Sequence, residues 1–322
     1  MELFGKYNKQ STAGNVATVG FFDGVHRGHR FLLGHLANEA KSCGMSSVAV
    51  TFADSPQRVL HPDSESFLLN TAEEKVSYIL DAGIDSVAML DFDRHLADMS
   101  AEDFMAVILK EQLNVKSLIM GYDHRFGKGV NLTFGQYREI GKTIGIDVIQ
   151  STPLSMSSSM DSRNISSSLI RHSLQSGLLD IANEALGYAY TLSGIVVSGF
   201  HKGREIGYPT ANLSVSPRKL IPADGAYAVR ISLGDGRQAT GMLNIGCRPT
   251  MENGNNKSIE VHIFDFDEDI YNHHIDVSLI KFLRHEVKFS SLHQLKSQLA
   301  EDEAICKKML RCRHTSKIMC LR

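Results

Sequence analysis

Val19-Gly20-Phe21-Phe22-Asp23-Gly24-Val25-His26-Arg27-Gly28-His29 joins two patterns of different period. The apolar run Val16 to Phe22 reads as a buried strand, Gly24 and Gly28 interrupt it, and apolar residues return at helical spacing from Arg30 to Ala40. A strand that turns through glycines into a helix gathers backbone N–H groups and the positive end of a helix dipole at one spot, where an anion is held. His26 and His29 stand in that turn, three residues apart. Both could donate to a phosphate that gains negative charge as it is attacked, and Gly28 lets the backbone approach closely. Half of a zinc site and two ordinary helix-start histidines are the other readings, although no Cys or His cluster nearby completes four zinc ligands.

Outward from this stretch the first half alternates strand and helix. Strands are predicted at Ser47 to Phe52, Ser86 to Phe92, Ser117 to Tyr122 and Asp147 to Ile149, and helices at Ala72 to Ala82, Ala101 to Leu113 and Phe134 to Ile144. This is the pattern of a doubly wound parallel sheet, in which ligands collect beyond the carboxyl ends of the strands. Three polar loops fall there: the histidine turn, Thr51 to Pro56, and Gly121 to Gly127 with Asp123, His124 and Arg125. The last suits a site that reads adenine or ribose while holding phosphate, and equally a charged surface turn. Beyond polar Ser155 to Ser159, Ser166 and Ser167 are placed to cap a helix, with Arg171 one turn on.

At about residue 186 the character changes. Strand-like segments with glycine turns follow at Tyr190 to Ser198, Ala226 to Leu233, Ala239 to Asn244, Ser258 to Phe264 and Ile275 to Leu283, the signature of a small β-barrel. Leu292 to Leu310 has the spacing of a helix that packs across it, and Lys307 to Arg322 reads as a solvated basic end. Pro209 biases Tyr208 toward an extended backbone, which would point Thr210 and Asn212 the same way as two hard oxygen ligands suited to Mg²⁺; a turn with incidental Thr and Asn is the plain alternative. In Ser258-Ile259-Glu260-Val261-His262-Ile263, alternation sets Glu260 opposite the apolar face, as a general base for a hydroxyl or as a solvent-facing strand residue.

The chain of 322 residues has room for two cores, and 43% hydrophobic with 22% charged residues is an ordinary globular composition. A net charge of −2 argues against broad nucleic-acid binding while leaving room for a local phosphate pocket. The five cysteines have neither metal-ligand nor disulfide-framework spacing, and with no membrane-length apolar run or signal-peptide pattern the expected location is the cytoplasm.

Gly20 to His29 resembles the nucleotidyltransferase signature of prokaryotic bifunctional riboflavin kinase/FAD synthetases. Gly121 to Gly127 is similar to that family's second motif, and Ile165 to Arg171 to its Ser/Thr-rich final one. Gly203 to Asn212 resembles the riboflavin kinase signature, Asn244 to Thr250 another kinase motif, and Arg284 to Phe289 the flavin-lining segment. The resemblance runs from Val16 to Asp302. It implies an N-terminal Rossmann-like FMN adenylyltransferase domain (1–185) and a C-terminal riboflavin kinase domain (186–322), a six-stranded antiparallel β-barrel with a closing helix. It further implies His26, His29, Arg171 and Glu260 as catalytic residues, and Gly20, Phe22, Asp23, Gly28, Asp123, Arg125, Ser166, Ser167, Lys202 and Gly203 as ATP- or phosphate-binding. Arg284, Glu286 and Phe289 would bind flavin, and Thr210 and Asn212 would ligate Mg²⁺. Riboflavin, FMN and ATP would be the small-molecule partners and FAD the final product, without nucleic acid or membrane; self-association stays open. Two departures stand out. Ser55 replaces the histidine of the family's Thr-Phe-Asp-Pro-His-Pro and cannot carry positive charge, and Asn272 replaces a turn glycine. The first keeps open a riboflavin kinase with a weakened adenylyltransferase, and a non-enzymatic flavin-binding protein is the other alternative.

Overall fold

A computed structural model describes residues 1–6, 13–60, 67–121, 124–128, 132–151, 165–199, 203, 206–247 and 257–311. The chain forms two compact units, Met1–Ser167 and Ser168–Arg322.

The first unit is a six-stranded sheet. Its elements in chain order are β1 (Glu2–Gly5), β2 (Asn15–Val19), α1 (Arg27–Ser42), β3 (Ser46–Phe52), α2 (Pro56–Leu60), α3 (Ala72–Asp81), β4 (Ser86–Leu90), α4 (Arg94–Asp98), α5 (Ala101–Asp103) continued by π-helical turns over Phe104–Gln112, β5 (Val115–Met120), α6 (Phe134–Ile144) and β6 (Asp147–Gln150). The strand order is β1-β4-β3-β2-β5-β6. All neighbours are parallel except β1, which pairs antiparallel with β4 at the edge. β2 is buried along its whole length because helices cover both faces of the sheet. Alternation divides its side chains: Ala17 and Val19 join Val48, Val50, Leu109 and Tyr137 in one core, while Val16 joins Ala49, Leu33, Leu36 and Ile79 in the other. The buried polar groups of β2 are paired, Asn15 Nδ2 donating to the Leu113 carbonyl (2.7 Å) and Thr18 Oγ1 to that of Ile119 (2.9 Å). The strand order changes direction between β2 and β5, which opens a crevice at their carboxyl ends. The sequence reading missed β1, whose four residues lie at an exposed edge with no clean alternation.

The second unit begins with α7, whose first residue is Ser167 (Ser167–Gln175), and α8 (Leu179–Leu186), followed by β7 (Thr191–Val197), β8 (Ala211–Val215), β9 (Gly225–Leu233), β10 (Gln238–Cys247), β11 (Lys257–Ile263), β12 (His274–His285) and α9 (Leu292–Arg311). The six strands close into an antiparallel barrel in the order β10-β11-β8-β7-β12-β9. Ile259, Val261 and Ile263 are buried, and Glu260 and His262 alternate with them at partly exposed positions. Helix α9 lies over the barrel, its Cys306 and Leu310 packing with Ala228, Met242 and Phe264. Helix α8 is tied to β12 and to the residue just before β7 by Asn183, whose Nδ2 donates to Leu279 O (2.9 Å) and whose Oδ1 accepts from Tyr190 N (2.8 Å). Five of the six strands are direct readings of the sequence. The sixth, β8, is Ala211-Asn212-Leu213-Ser214-Val215, too short and polar to stand out. Among the described residues no helix is long and apolar enough to cross a membrane.

Candidate functional site

The histidine turn is a strained loop. Phe22 (φ 51°), Gly24 (φ 85°) and Val25 (φ 33°) all take left-handed backbone conformations, unfavourable for a bulky and a β-branched residue, and such strain concentrates where a fold serves a site. A Cβ at Gly20 would lie 2.7 Å from the buried Phe22 ring, so a side chain there would force that ring to shift. His26 is the N-cap of α1, and its Nδ1 accepts the His29 N–H at 3.3 Å. An accepting Nδ1 leaves the proton of the neutral ring on Nε2, available to donate. The His26 and His29 rings stack with centroids 3.6 Å apart, and Phe22 meets His29 edge-on at 5.2 Å. Gly28 fits beneath this stack, since a Cβ there would lie 3.2 Å from the His26 ring. Burial pushes His26 down to about 4, and His29 well below the usual imidazole range through burial first and then the charges of His26, Lys75 and His124. Both rings are therefore neutral at pH 7. His29 Nδ1 is buried without a hydrogen-bond partner among the described residues.

Asp23 is buried, and its Oδ1 accepts the N–H groups of Leu69 (2.9 Å) and Asn70 (3.3 Å). Its carbonyl accepts the Ser167 hydroxyl at 2.8 Å. Asp23 is thereby the junction that holds two other segments against the turn. The carboxyl end of β3 joins through Thr51, which donates to Phe21 O at 3.0 Å; in the loop that follows, Ser55 is buried, with its N–H on Asp54 Oδ1 at 2.6 Å. From the loop after β5, a Cβ added at Gly121 would lie 3.8 Å from the Leu32 side chain of α1, and His124 acts electrostatically on His29. Arg125 Nη1 bonds His124 O (2.8 Å), and the adjacent Phe126 N–H is held by the Tyr137 hydroxyl (2.9 Å). Thus the loops after β2, β3 and β5 converge, as expected of the crevice. Ser166 is exposed; Arg171 lies on α7 four residues after Ser167, half-buried and in the second unit. Asp123, with Ser155 to Ser159, lies outside the described residues.

The sequence reading passed over Lys75. It is fully buried on α3, with Nζ donating to Phe52 O at 2.8 Å and standing 4.0 Å over the Phe21 ring. It ties the loop after β2 to the carboxyl end of β3. Burial pushes it down to about 8, against the opposing pull of Asp23 and Asp54. The signal was present in the sequence: Lys75 interrupts the helical stripe Ala72, Val76, Ile79 with a charge.

In the barrel, Glu260 of β11 faces Asn212 of β8 on one side and Asn244 of β10 on the other. The Thr210 hydroxyl donates to Glu260 Oε2 at 3.3 Å. Thr210, Asn212 and Glu260 thus stand together, whereas the spacing suggested only that Thr210 and Asn212 point the same way. The Asn212 carboxamide packs against Gly199 so closely that a Cβ there would lie 2.0 Å from Nδ2. Gly203 accepts from the N–H groups of Ile206 (3.3 Å) and Tyr208 (2.9 Å), and a Cβ on it would collide with Tyr208 O at 2.2 Å. A cleft of about 450 Å³ opens beside Thr210, lined also by Val196, Pro209, Phe266, Ile270 and Tyr271. The hydroxyl of Thr210 and the amide oxygen of Asn212 are hard donors of the kind a divalent cation such as Mg²⁺ takes. Among the described residues no three His, Cys, Asp or Glu side chains group as a metal cage. Lys202 and Arg248 to Thr250 lie outside the described residues.

Of the segment expected to line the flavin, Arg284 makes a forked pair with Asp302 of α9 (Nη2–Oδ2 2.7 Å, Nε–Oδ2 3.1 Å), with Phe289 5.9 Å from its guanidinium. Glu286 reaches Gly246, where a Cβ would lie 2.5 Å from Oε1. Asp302 is the second residue the sequence reading missed, and like Lys75 it interrupts a stripe: Leu295, Leu299, Cys306, Leu310.

Comparison with known proteins divides the chain along the same lines. The family model described as FAD synthetase matches residues 8–169, and that described as riboflavin kinase matches residues 186–310. The bifunctional riboflavin kinase/FMN adenylyltransferase of Escherichia coli is 38% identical over 291 residues, 90% of this chain and 91% of its own length. Its Bacillus subtilis namesake is 32% identical over 300 residues, 92% of each chain. A crystal structure described as a macrolide-efflux protein from Streptococcus pneumoniae matches with a TM-score of 0.83 at 30% identity, over 92% of this chain and 95% of that one.

Proposed function

The chain belongs to the bifunctional riboflavin kinase/FMN adenylyltransferases, and from that premise we propose which of its residues carry each of the two reactions. The barrel unit transfers the γ-phosphoryl of ATP to riboflavin, giving FMN and ADP. The parallel-sheet unit transfers the adenylyl group of a second ATP to FMN, giving FAD and pyrophosphate.

In the first reaction Glu260 is the general base, accepting the proton of the riboflavin hydroxyl as its oxygen bonds to the γ-phosphorus and ADP departs. Thr210 and Asn212 would be the protein's ligands to Mg²⁺, which when bound would neutralise phosphate charge. ATP lies in the cleft beside Thr210. Arg284 holds α9 through Asp302, and Glu286 and Phe289 flank the flavin. In the second reaction the nucleophile, a phosphate oxygen of FMN, is already an anion and requires no base. His26 donates from Nε2 and His29 from its own ring to the α-phosphate as the P–O bond to pyrophosphate breaks, and Arg171 holds phosphate charge. Asp23 and Lys75 position the loops. We place the domain boundary at 185/186, at the end of α8, whereas the compact units divide between Ser167 and Ser168; FMN, ATP and riboflavin are the partners of a cytoplasmic enzyme.

The observation that carries the kinase assignment is the Thr210–Glu260 hydrogen bond beside Asn212, which supports a base and two cation ligands at one place. Glu260→Gln tests it. Riboflavin phosphorylation should fall by about 10²–10⁴-fold, the range for losing a general base, while adenylylation of supplied FMN continues. A kinase rate within threefold of wild type would remove Glu260 from the role.

A further inference from the structure

The pairing of β8 with β11 is short, consisting of Glu260 with Asn212 and Val261 with Ala211. Continued by one residue it would set His262 opposite Thr210, but the ladder stops there. Pro209, with no N–H, cannot extend it. The His262 side chain takes over instead, its Nδ1 lying 2.7 Å from the Pro209 carbonyl. A carbonyl only accepts, so Nδ1 carries the proton in this bond. The ring is held on both sides, edge-on to Tyr208 at 5.2 Å and to Phe264 at 5.7 Å. Tyr208 is anchored in turn by a hydrogen bond to Glu303 of α9, which pairs with Lys307 at 2.8 Å. The residue that follows Pro209 is Thr210, whose hydroxyl reaches Glu260 at 3.3 Å, a long bond with little hold of its own.

We propose that His262 is a positioning residue of the kinase site: its Nδ1–H holds the Pro209 carbonyl, and so fixes the backbone from which Thr210 meets Glu260. The proposal rests on the kinase reading above and adds to it a residue that touches neither substrate nor cation. The side-chain bond holds the chain where the ladder has stopped, and without it the segment before Ala211 keeps only the long Thr210–Glu260 bond to β11.

The test compares wild type, His262→Ala and His262→Asn in the full chain. The Nδ2 amide of asparagine lies close to the place of the imidazole Nδ1 and can donate to the same carbonyl. Three readings are taken: the riboflavin kinase kcat and KM, adenylylation of supplied FMN as an internal control, and amide hydrogen exchange over Thr210–Leu213. In His262→Ala we expect the kinase kcat to fall and exchange to quicken by about tenfold each, the scale of one lost hydrogen bond, with riboflavin KM and adenylylation within twofold of wild type. His262→Asn should restore both to within threefold. Wild-type exchange and turnover in His262→Ala would overturn the proposal, as would a His262→Asn protein as impaired as His262→Ala. Should wild type itself lack kinase activity, the kinase reading falls, and the exchange comparison still decides whether His262 holds the segment.

Discussion

Replacing Lys75 by methionine separates what a buried charge does for function from what it does to stability. The ammonium is fully buried, held by one hydrogen bond to Phe52 O and by the face of Phe21. Its displacement from the ordinary 10.5 to about 8 corresponds to about 3 kcal/mol against keeping it charged in the folded unit. Methionine has a similar stem without the charge. It forgoes the hydrogen bond and the ring contact, together about 1–2 kcal/mol, so at pH 7 Lys75→Met should be more stable by about 1–2 kcal/mol. Between pH 8 and 10.5 the unfolded chain binds the lysine proton and the folded unit has released it, so wild-type stability rises with pH across that window. Above it the wild type should match or exceed the variant. Urea unfolding followed by circular dichroism, at pH 7 and pH 10.5, gives the difference for the transition that the substitution shifts, and other titrating groups cancel. An advantage of Lys75→Met that is the same at both pH values, or a variant less stable at pH 7, would refute the reasoning. Activity should move the other way, with adenylylation reduced and riboflavin phosphorylation unchanged, because Lys75 ties together loops of the adenylyl site alone.

Two other changes probe the units separately. Because burial pushes His26 down to about 4, between pH 6.5 and 4 the unfolded chain binds a proton that the folded unit does not, so the stability of the first unit falls as the pH falls through that window. His26→Gln should flatten the fall by up to about 3 kcal/mol, measured as the urea midpoint at pH 7 and pH 4.5. In the barrel, Asp302→Ala leaves the Arg284 guanidinium, 21% exposed, without its forked partner. The loss should be about 2–3 kcal/mol, below the range for a fully buried pair because Arg284 keeps some water, with a lower melting temperature for the second unit and weaker flavin binding.

Periodicity made most of the fold legible. The strand and helix around the histidine turn, the helices over residues 72–81 and 134–144, and five barrel strands follow from apolar spacing, because each buries one face or both. Edge strand β1 and short β8 escaped because pairing with a neighbour, rather than their own pattern, makes them strands. Thr210, Asn212 and Glu260 were legible because each stands in a motif. Lys75, Asp302 and His262 were harder, since their chemistry depends on partners distant in sequence: Phe52, Arg284 and Pro209. Two of the three left a trace as a charge in a helical apolar stripe. Asp23 stands in a motif and is now seen to bond backbone N–H groups of Leu69 and Asn70, a pairing that spacing could not foretell.

The most direct measurement is incubation of the purified protein with riboflavin, ATP and Mg²⁺, with riboflavin, FMN and FAD separated by chromatography over time. FMN that rises and then gives way to FAD is the predicted result, and it would make Ser55 a tolerated change in the loop after β3. Riboflavin left unconverted, with supplied FMN also unconverted, would contradict the assignment of both reactions to this chain.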